Sequence, residues 1–242
     1  MEAGDNIKVS SGAWRFSGSA AENFDSHVSK SVPMYDEAHN IIVSLSDFFT
    51  RDSSIVVDIG SSTGTLLSKI ASVMDGKKNL NMLGIDPVSD MATISSNRFS
   101  ELDLNSISVD FFCGSYMDKE FENESISMIS SVYTLQFVHP SIRQAFINKV
   151  YQELEWGGAF ILFEKIRADD ARFQDIFTTL YNEYKINNGY SCDEIISKTL
   201  SLKGVLEPFS TSGNYGLLQR AGFQDIQNVF QYLCFQGILA IK

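Results

Sequence analysis

Residues 54–64 read SIVVDIGSSTG, and this stretch decides the fold. Positions 54–59 are a continuous apolar run interrupted by Asp58, the pattern of a strand buried on both faces of a parallel sheet. A turn of Gly and Ser follows. Residues 65–74 then place Leu66, Leu67, Ile70 and Val73 on one helical face. Strand, glycine-containing turn and helix in immediate succession deliver a strand's C-terminal end to a helix start, where open α/β sheets hold ligands. Gly60 permits a tight turn and a close approach by a ligand, and Gly64 is expected to let the helix pack near the strand. Ser62 stands where a G-x-G-x-x-G fingerprint has its second glycine, which disfavours a dinucleotide pyrophosphate. The wider spacing, with Asp58 ahead of it, suits a phosphate-free cofactor whose amino-acid end lies against the turn.

The pattern repeats outward. Strands are predicted over 81–85, 106–113, 126–132 and 158–164, the last after a turn at Gly157-Gly158. Helices are predicted over 90–102 and, behind Pro140, over 141–154. Strands alternating with helices argue for a mostly parallel sheet covered on both faces. Gly222 caps a helix ending near Ala221. The apolar runs 226–230 and 233–241 lie too close together for a helical crossover, so the last strand should run antiparallel. Two helical additions flank this core: residues 20–49, interrupted by Pro33, and residues 169–210, with Phe173, Ile176, Phe177, Leu180 and Tyr184 on one stripe. A single domain over 1–242 is expected, divided into an N-terminal cover (20–50), a cofactor-binding core (54–166), a cap (169–210) and a C-terminal helix and hairpin (211–242).

Composition excludes several classes. The chain has 242 residues, 44% of them hydrophobic, enough for a substantial core. With 19 Lys plus Arg against 30 Asp plus Glu, the net charge of −11 repels phosphate backbones, and no basic cluster offsets it. Direct nucleic-acid binding is therefore not expected. No stretch approaches the roughly 18 apolar residues of a membrane helix. The polar start MEAGDNIKVSSG does not resemble a secretion signal, and Cys113, Cys192 and Cys234 lack metal-ligand or disulfide-framework spacing. The expectation is a cytoplasmic protein with no metal.

Asp86 closes the second predicted strand. Such an acid can accept hydrogen bonds from a ribose diol. It can equally cap the helix that follows Pro87. With the 58–64 turn upstream, ribose binding is the preferred reading.

At this point the pattern resembles the class I S-adenosylmethionine-dependent methyltransferases, a Rossmann-like fold, with their glycine-rich first turn, acid after strand two and final antiparallel hairpin. A narrower resemblance follows from Phe24-Asp25, Ser31-Val32-Pro33-x-Tyr35, Tyr133-Thr134-Leu135-Gln136-Phe137, Gly157-Gly158, Glu164-Lys165, Asn188-Gly189-Tyr190-Ser191 and Ala221-Gly222-Phe223. In order and spacing these are similar to the carboxy-S-adenosylmethionine synthase family. That resemblance implies binding of S-adenosyl-L-methionine and use of prephenate to make a carboxylated sulfonium for tRNA wobble-base modification. It implies cofactor contacts from Tyr35, Gly60, Ser62, Asp86, Pro87, Ser115, Tyr116 and Val132, with Asp58 and Gly64 completing the first turn. Several positions depart from the family. Pro87 and Val132 stand where Asn is common, and Ser115 where Asp is. Thr199 stands where the synthases have the Arg that holds the extra carboxylate. A hydroxyl offers neither the charge nor the forked donors of a guanidinium. Neighbouring Lys198 is expected to point about 100° away on the helix.

The scaffold is therefore expected to be kept and the synthase activity lost. The main expectation is methyl transfer from S-adenosylmethionine to a small-molecule acceptor in specialised metabolism. The alternatives are a true synthase and a non-catalytic cofactor-binding protein. Because the sulfonium carries the activation, the protein mainly aligns acceptor and methyl group and excludes water. A base is needed only where the acceptor loses a proton. His139 and Tyr133, after strand four, are the candidate catalytic residues, His139 alternatively starting a helix and Tyr133 alternatively packing in the core. His27 and His39 are further candidates, and Glu164-Lys165, ending strand five close to where an acceptor would sit, is read by preference as a structural ion pair. The stripe Phe173, Phe177, Tyr181 and Tyr184 reads as core or dimer contact or, with Trp14, Phe16 and Phe24, as the roof of an acceptor pocket, to which Lys185, Tyr190 and Lys198 would add contacts for an acidic group. Arg143 and Arg172 are read as solvated charges. The synthases' habit suggests a homodimer.

Overall fold

The computed structural model describes residues 1–74, 76–104, 106–121 and 126–242. Seven strands, β1 (Ile55–Ile59), β2 (Leu80–Asp86), β3 (Ile107–Cys113), β4 (Ile126–Val132), β5 (Leu154–Lys165), β6 (Asp225–Tyr232) and β7 (Phe235–Ile241), form one sheet in the order β3-β2-β1-β4-β5-β7-β6. The pairs from β3 through β5 are parallel. β7 runs antiparallel to both β5 and β6, as the short hairpin connection requires.

Helices α1 (Ser19–Glu22), α2 (Phe24–Ser31) and α3 (Tyr35–Phe49) precede the sheet. Helices α4 (Thr65–Met74), α5 (Ser89–Ser100) and α6 (Arg143–Glu153) lie between sheet strands, α7 (Ala171–Asn187) and α8 (Cys192–Ser201) form the addition after β5, and α9 (Thr211–Ala221) leads to the hairpin. Side-chain alternation sends neighbours on each strand to opposite layers. Val56, Ile161 and Phe163 join the core with Leu67 and Ile70 of α4, while Val57, Phe160 and Leu162 join Phe146 and Ile147 of α6.

Local departures have local causes. The expected turn at 157–158 is a bulge inside β5: Gly157 takes φ 80°, and the register shifts between Ile126 and Met128 opposite it. α6 starts at Arg143 because a 3₁₀ turn at Pro140–Ile142 precedes it. Gly64 (φ 74°) serves α5 instead of the strand, since a Cβ there would lie 2.9 Å from that of Ser95. Val73 is 59% exposed, and Ala71 and Met74 complete the inner face of α4. The α7 stripe splits: Phe177 and Tyr181 pack on the core, while Phe173, Ile176 and Leu180 face outward.

Candidate functional site

Parallel pairing places the C-terminal ends of β1, β2, β4 and β5 on one side of the sheet, and strand order reverses between β1 and β4. A cavity of about 280 Å³ opens there. Its floor is the turns after these strands, and its roof comes from Trp14, Phe16, Phe24, α2, α3, α7 and α8. Phe16 meets Phe137 edge to face at 5.0 Å, joining roof to wall.

The first turn is pinned by its neighbours. Gly60 has φ 75°, and a Cβ there would lie 2.1 Å from the Thr134 hydroxyl oxygen. Ser62 also sits in the left-handed region, at φ 52°, and its backbone N–H donates to Asp86 Oδ2 at 3.0 Å. Asp86 Oδ1 accepts from Val88 N–H at 2.9 Å. The carboxylate thus closes an Asx turn ahead of α5 and cross-links two loops, rather than capping the helix. Each oxygen retains capacity for another donor, such as a vicinal diol. Asp58 is buried, and its Oδ1 accepts from Ser130 Oγ at 2.7 Å. Burial pushes its carboxyl up to about 7; the Ser130 bond works against this and nearby Asp86 adds to it.

Several buried polar atoms at the cavity have no hydrogen-bond partner among the described residues: Trp14 Nε1, His39 Nδ1, Ser61 Oγ and Tyr133 Oη. Buried polar groups are ordinarily paired, so this set fits a polar ligand. Tyr35 lies 4.2 Å from the His39 ring and 6.3 Å from that of Tyr133. Tyr133 holds φ 54° and donates its backbone N–H to Phe163 O, which aims the following residues across the turn.

The far wall is cationic. Lys165, Lys185 and Lys198 all border the cavity. The ammonium groups of Lys165 and Lys185 each lie 4.4 Å from the Tyr181 ring centroid, and neither has a hydrogen bond or ion pair among the described residues. Lys185 is the buried residue of α7. Lys198, expected to point away, reaches the cavity and donates to His27 Nε2 at 2.6 Å. Its long flexible stem overcomes the angular offset on α8. Burial and the other two lysines depress Lys198 to about 7, while burial and Lys165 depress Lys185 to about 8. Thr199 also borders the cavity, but its hydroxyl donates to Ile195 O of its own helix at 2.8 Å.

Of the residues singled out in the sequence, Tyr35, Asp58, Gly60, Ser62, Asp86, Pro87, Val132 and Tyr133 converge on the cavity. Others do not. His139 is exposed, and its Nδ1 accepts from Ser141 N–H at 3.3 Å, making it the cap of the Pro140 turn. Tyr116 packs on Phe146 with ring centroids 4.9 Å apart, and its phenol donates to Glu153. Ser115 is exposed and accepts from Met117 N–H. Neither borders the cavity, because the turn after β3 directs Tyr116 into the layer beneath the sheet. Gly64 faces α5. Tyr190 Oη is committed to Asp5 and His27. Glu164 and Lys165 form no ion pair, since the pleat sends them to opposite faces. Arg143 is buried, donating to Val138 O and Gln136 O and stacked on Phe209. Asp5 and Gln136, not singled out, support the site: Gln136 Oε1 accepts from Lys165 N–H at 2.8 Å, and Asp5 accepts from His27. Asp5 lies in a polar stretch with no pattern to mark it.

Residues 56–158 match a methyltransferase domain family. Over 230 residues, the chain is 37% identical to a carboxy-S-adenosyl-L-methionine synthase of Staphylococcus epidermidis, covering 95% of this chain and 97% of that one. The synthase of the same name from Campylobacter lari is 31% identical, with 95% and 94% covered. Among solved structures, the YcgJ protein of Bacillus subtilis superposes with a TM-score of 0.60 at 13% identity, over 86% of this chain and 99% of that one. Human N-acetylserotonin methyltransferase, determined in complex with S-adenosylmethionine, superposes with a TM-score of 0.55 at 16% identity, over 96% and 63%. These structures share the class I methyltransferase fold expected from the first turn and the final hairpin.

Proposed function

The chain belongs to the carboxy-S-adenosyl-L-methionine synthase family, and we propose that it binds S-adenosylmethionine and reacts it with a carboxylate-bearing co-substrate, as a synthase of that kind. The observation that carries this is the cluster of Lys165, Lys185 and Lys198 in one cavity wall, Lys185 buried and the other two half-buried, none with a carboxylate partner among the described residues. Buried charge is costly unless paired, so such a wall suits an anionic group. It also supplies, from neighbouring positions, the charge that Thr199 does not.

Bound S-adenosylmethionine supplies an activated sulfonium methyl group. Asp86 would accept from the ribose hydroxyls, the Gly60–Ser62 turn and Asp58 would receive the amino-acid end, and Tyr35 and Tyr133 would line the cofactor's other side. Pro87 and Val132 add apolar contact around the nucleoside. The lysines orient the co-substrate's carboxylate, and the aromatic roof keeps water out. Methyl transfer to a small-molecule acceptor is the second reading, favoured by the absence of an arginine from the described residues that border the cavity. The working form is proposed to be a cytoplasmic homodimer, with the exposed Phe173, Ile176 and Leu180 stripe covered by a second copy; sedimentation tests this.

Incubation with S-adenosylmethionine, with and without prephenate, followed by mass spectrometry of the nucleoside products, decides between the readings. A prephenate-dependent carboxylated sulfonium is expected. Demethylated nucleoside formed with a methylated acceptor, and no carboxylated product, would replace this reading with the second.

A further inference from the structure

Lys198 has an unusual partner. Its ammonium donates to His27 Nε2 at 2.6 Å, and His27 Nδ1 lies 2.8 Å from Asp5 Oδ2. A carboxylate at neutral pH only accepts, so Asp5 fixes the proton on Nδ1 and leaves the Nε2 lone pair facing Lys198. The His27 side chain is 6% exposed. Burial, then the charge of Lys198, holds it down to about 4, so it is neutral. The remaining valences are filled locally: Lys30 pairs with Asp5 Oδ1 at 2.6 Å, and Tyr190 Oη donates to Asp5 Oδ2 at 3.2 Å.

This arrangement differs in consequence from a lysine paired directly with an acid. A carboxylate beside Lys198 would orient the ammonium and cancel its charge. A neutral imidazole orients it by taking one of three N–H donors and leaves the charge facing the cavity. The negative charge sits one side chain further back, where Lys30 balances it. The backbone holds this relay in place: Gly12 N–H donates to Leu200 O and Trp14 N–H to Ser201 O, docking the N-terminal segment on α8. Trp14 stacks on His27 at 5.8 Å, and Lys198 lies 5.4 Å from the Trp14 ring centroid.

We infer that Asp5 and His27 are positioning residues that hold the Lys198 ammonium, uncompensated, toward a carboxylate group of the co-substrate, which makes the N-terminal segment part of the anion subsite. The inference rests on the proposed use of a carboxylate-bearing co-substrate.

The test uses the full chain loaded with S-adenosylhomocysteine, which lacks the reactive methyl group, and titrated calorimetrically with prephenate, with S-adenosylmethionine affinity measured separately. Asp5→Asn and His27→Ala should each weaken prephenate binding about tenfold while changing S-adenosylmethionine affinity less than twofold. His27→Gln, which keeps an acceptor oxygen near Nε2, should recover most of the loss and guards against a folding defect in His27→Ala. In a Lys198→Ala background, His27→Ala should add less than twofold. Equal weakening of both ligands, or an undiminished His27 effect without Lys198, would overturn the inference. Absence of prephenate binding by the wild-type protein would defeat the synthase reading instead. In that event the Lys198 ammonium signal in ¹⁵N-lysine-labelled protein, assigned with Lys198→Ala, still decides the positioning. It should shift in His27→Ala and return in His27→Gln, and an unchanged signal would overturn the inference.

Discussion

The backbone N–H of Ser62 donates to the Asp86 carboxylate at 3.0 Å, tying the turn after β1 to the end of β2 across the cavity floor. Because Val88 N–H occupies the other oxygen, one side chain sets the relative position of two ligand-contacting loops. Ser62 holds a left-handed backbone that a residue with a Cβ adopts at some cost, and this bond helps to hold it there.

Replacing Asp86 with Ala leaves two backbone donors without partners in a largely buried setting. A loss of about 1–3 kcal/mol in unfolding free energy is expected, measured by urea denaturation. Cofactor affinity by calorimetry should fall at least tenfold. Asp86→Asn, which keeps one acceptor oxygen, should fall between.

Gly60→Ala combines a positive φ with a collision against Thr134. We expect destabilisation of about 1–2 kcal/mol from the backbone alone. Thr134→Ala removes the nearest colliding atoms and should restore part, but not all, of the loss. Full restoration would show that the backbone conformation is unimportant.

Asp58 makes stability depend on pH. Its folded-state value, about 7, lies above the ordinary value of 3.8, so the folded protein holds this proton more tightly than the unfolded chain. Its contribution is therefore fully present below pH 3.8 and lost as pH rises to about 7. The unfolding free energy of wild type relative to Asp58→Asn should fall across that window and level off above it.

The lysine wall predicts the pH dependence of anion binding. Lys198 and Lys185 lose their protons near 7 and 8, with Lys165 and Arg167 nearby and His27 neutral throughout. Calorimetric affinity for a carboxylate co-substrate should be highest below pH 7 and fall by about tenfold or more toward pH 9, on the order of 1.4 kcal/mol. Lys185→Met should weaken binding and remove part of this dependence.

His139 caps a turn outside the cavity. His139→Ala should lower stability by about 0.5–1 kcal/mol and leave turnover within about twofold of wild type. A loss of turnover beyond tenfold at unchanged stability would return His139 to the catalytic candidates.

The alternation of strands and helices, the antiparallel last strand and the cofactor floor were legible in the chain because they rest on short-range regularities. Residues 54–74 encode strand, turn and helix in immediate succession, and Asp86 sits at the end of the next apolar run. The short break between the apolar runs 226–230 and 233–241 leaves a hairpin as the connection. The other half of the site depends on which distant side chains meet. Asp5, His27 and Lys198 are far apart in sequence and converge only when the N-terminal segment docks on α8. Lys185 was legible as a contact for an acidic group, but its burial was not, because the packing of α7 decides it. Helical periodicity assigns a direction to a Cα–Cβ bond, but a lysine stem spans several ångströms beyond it, so the approach of other elements decided where Lys198 points.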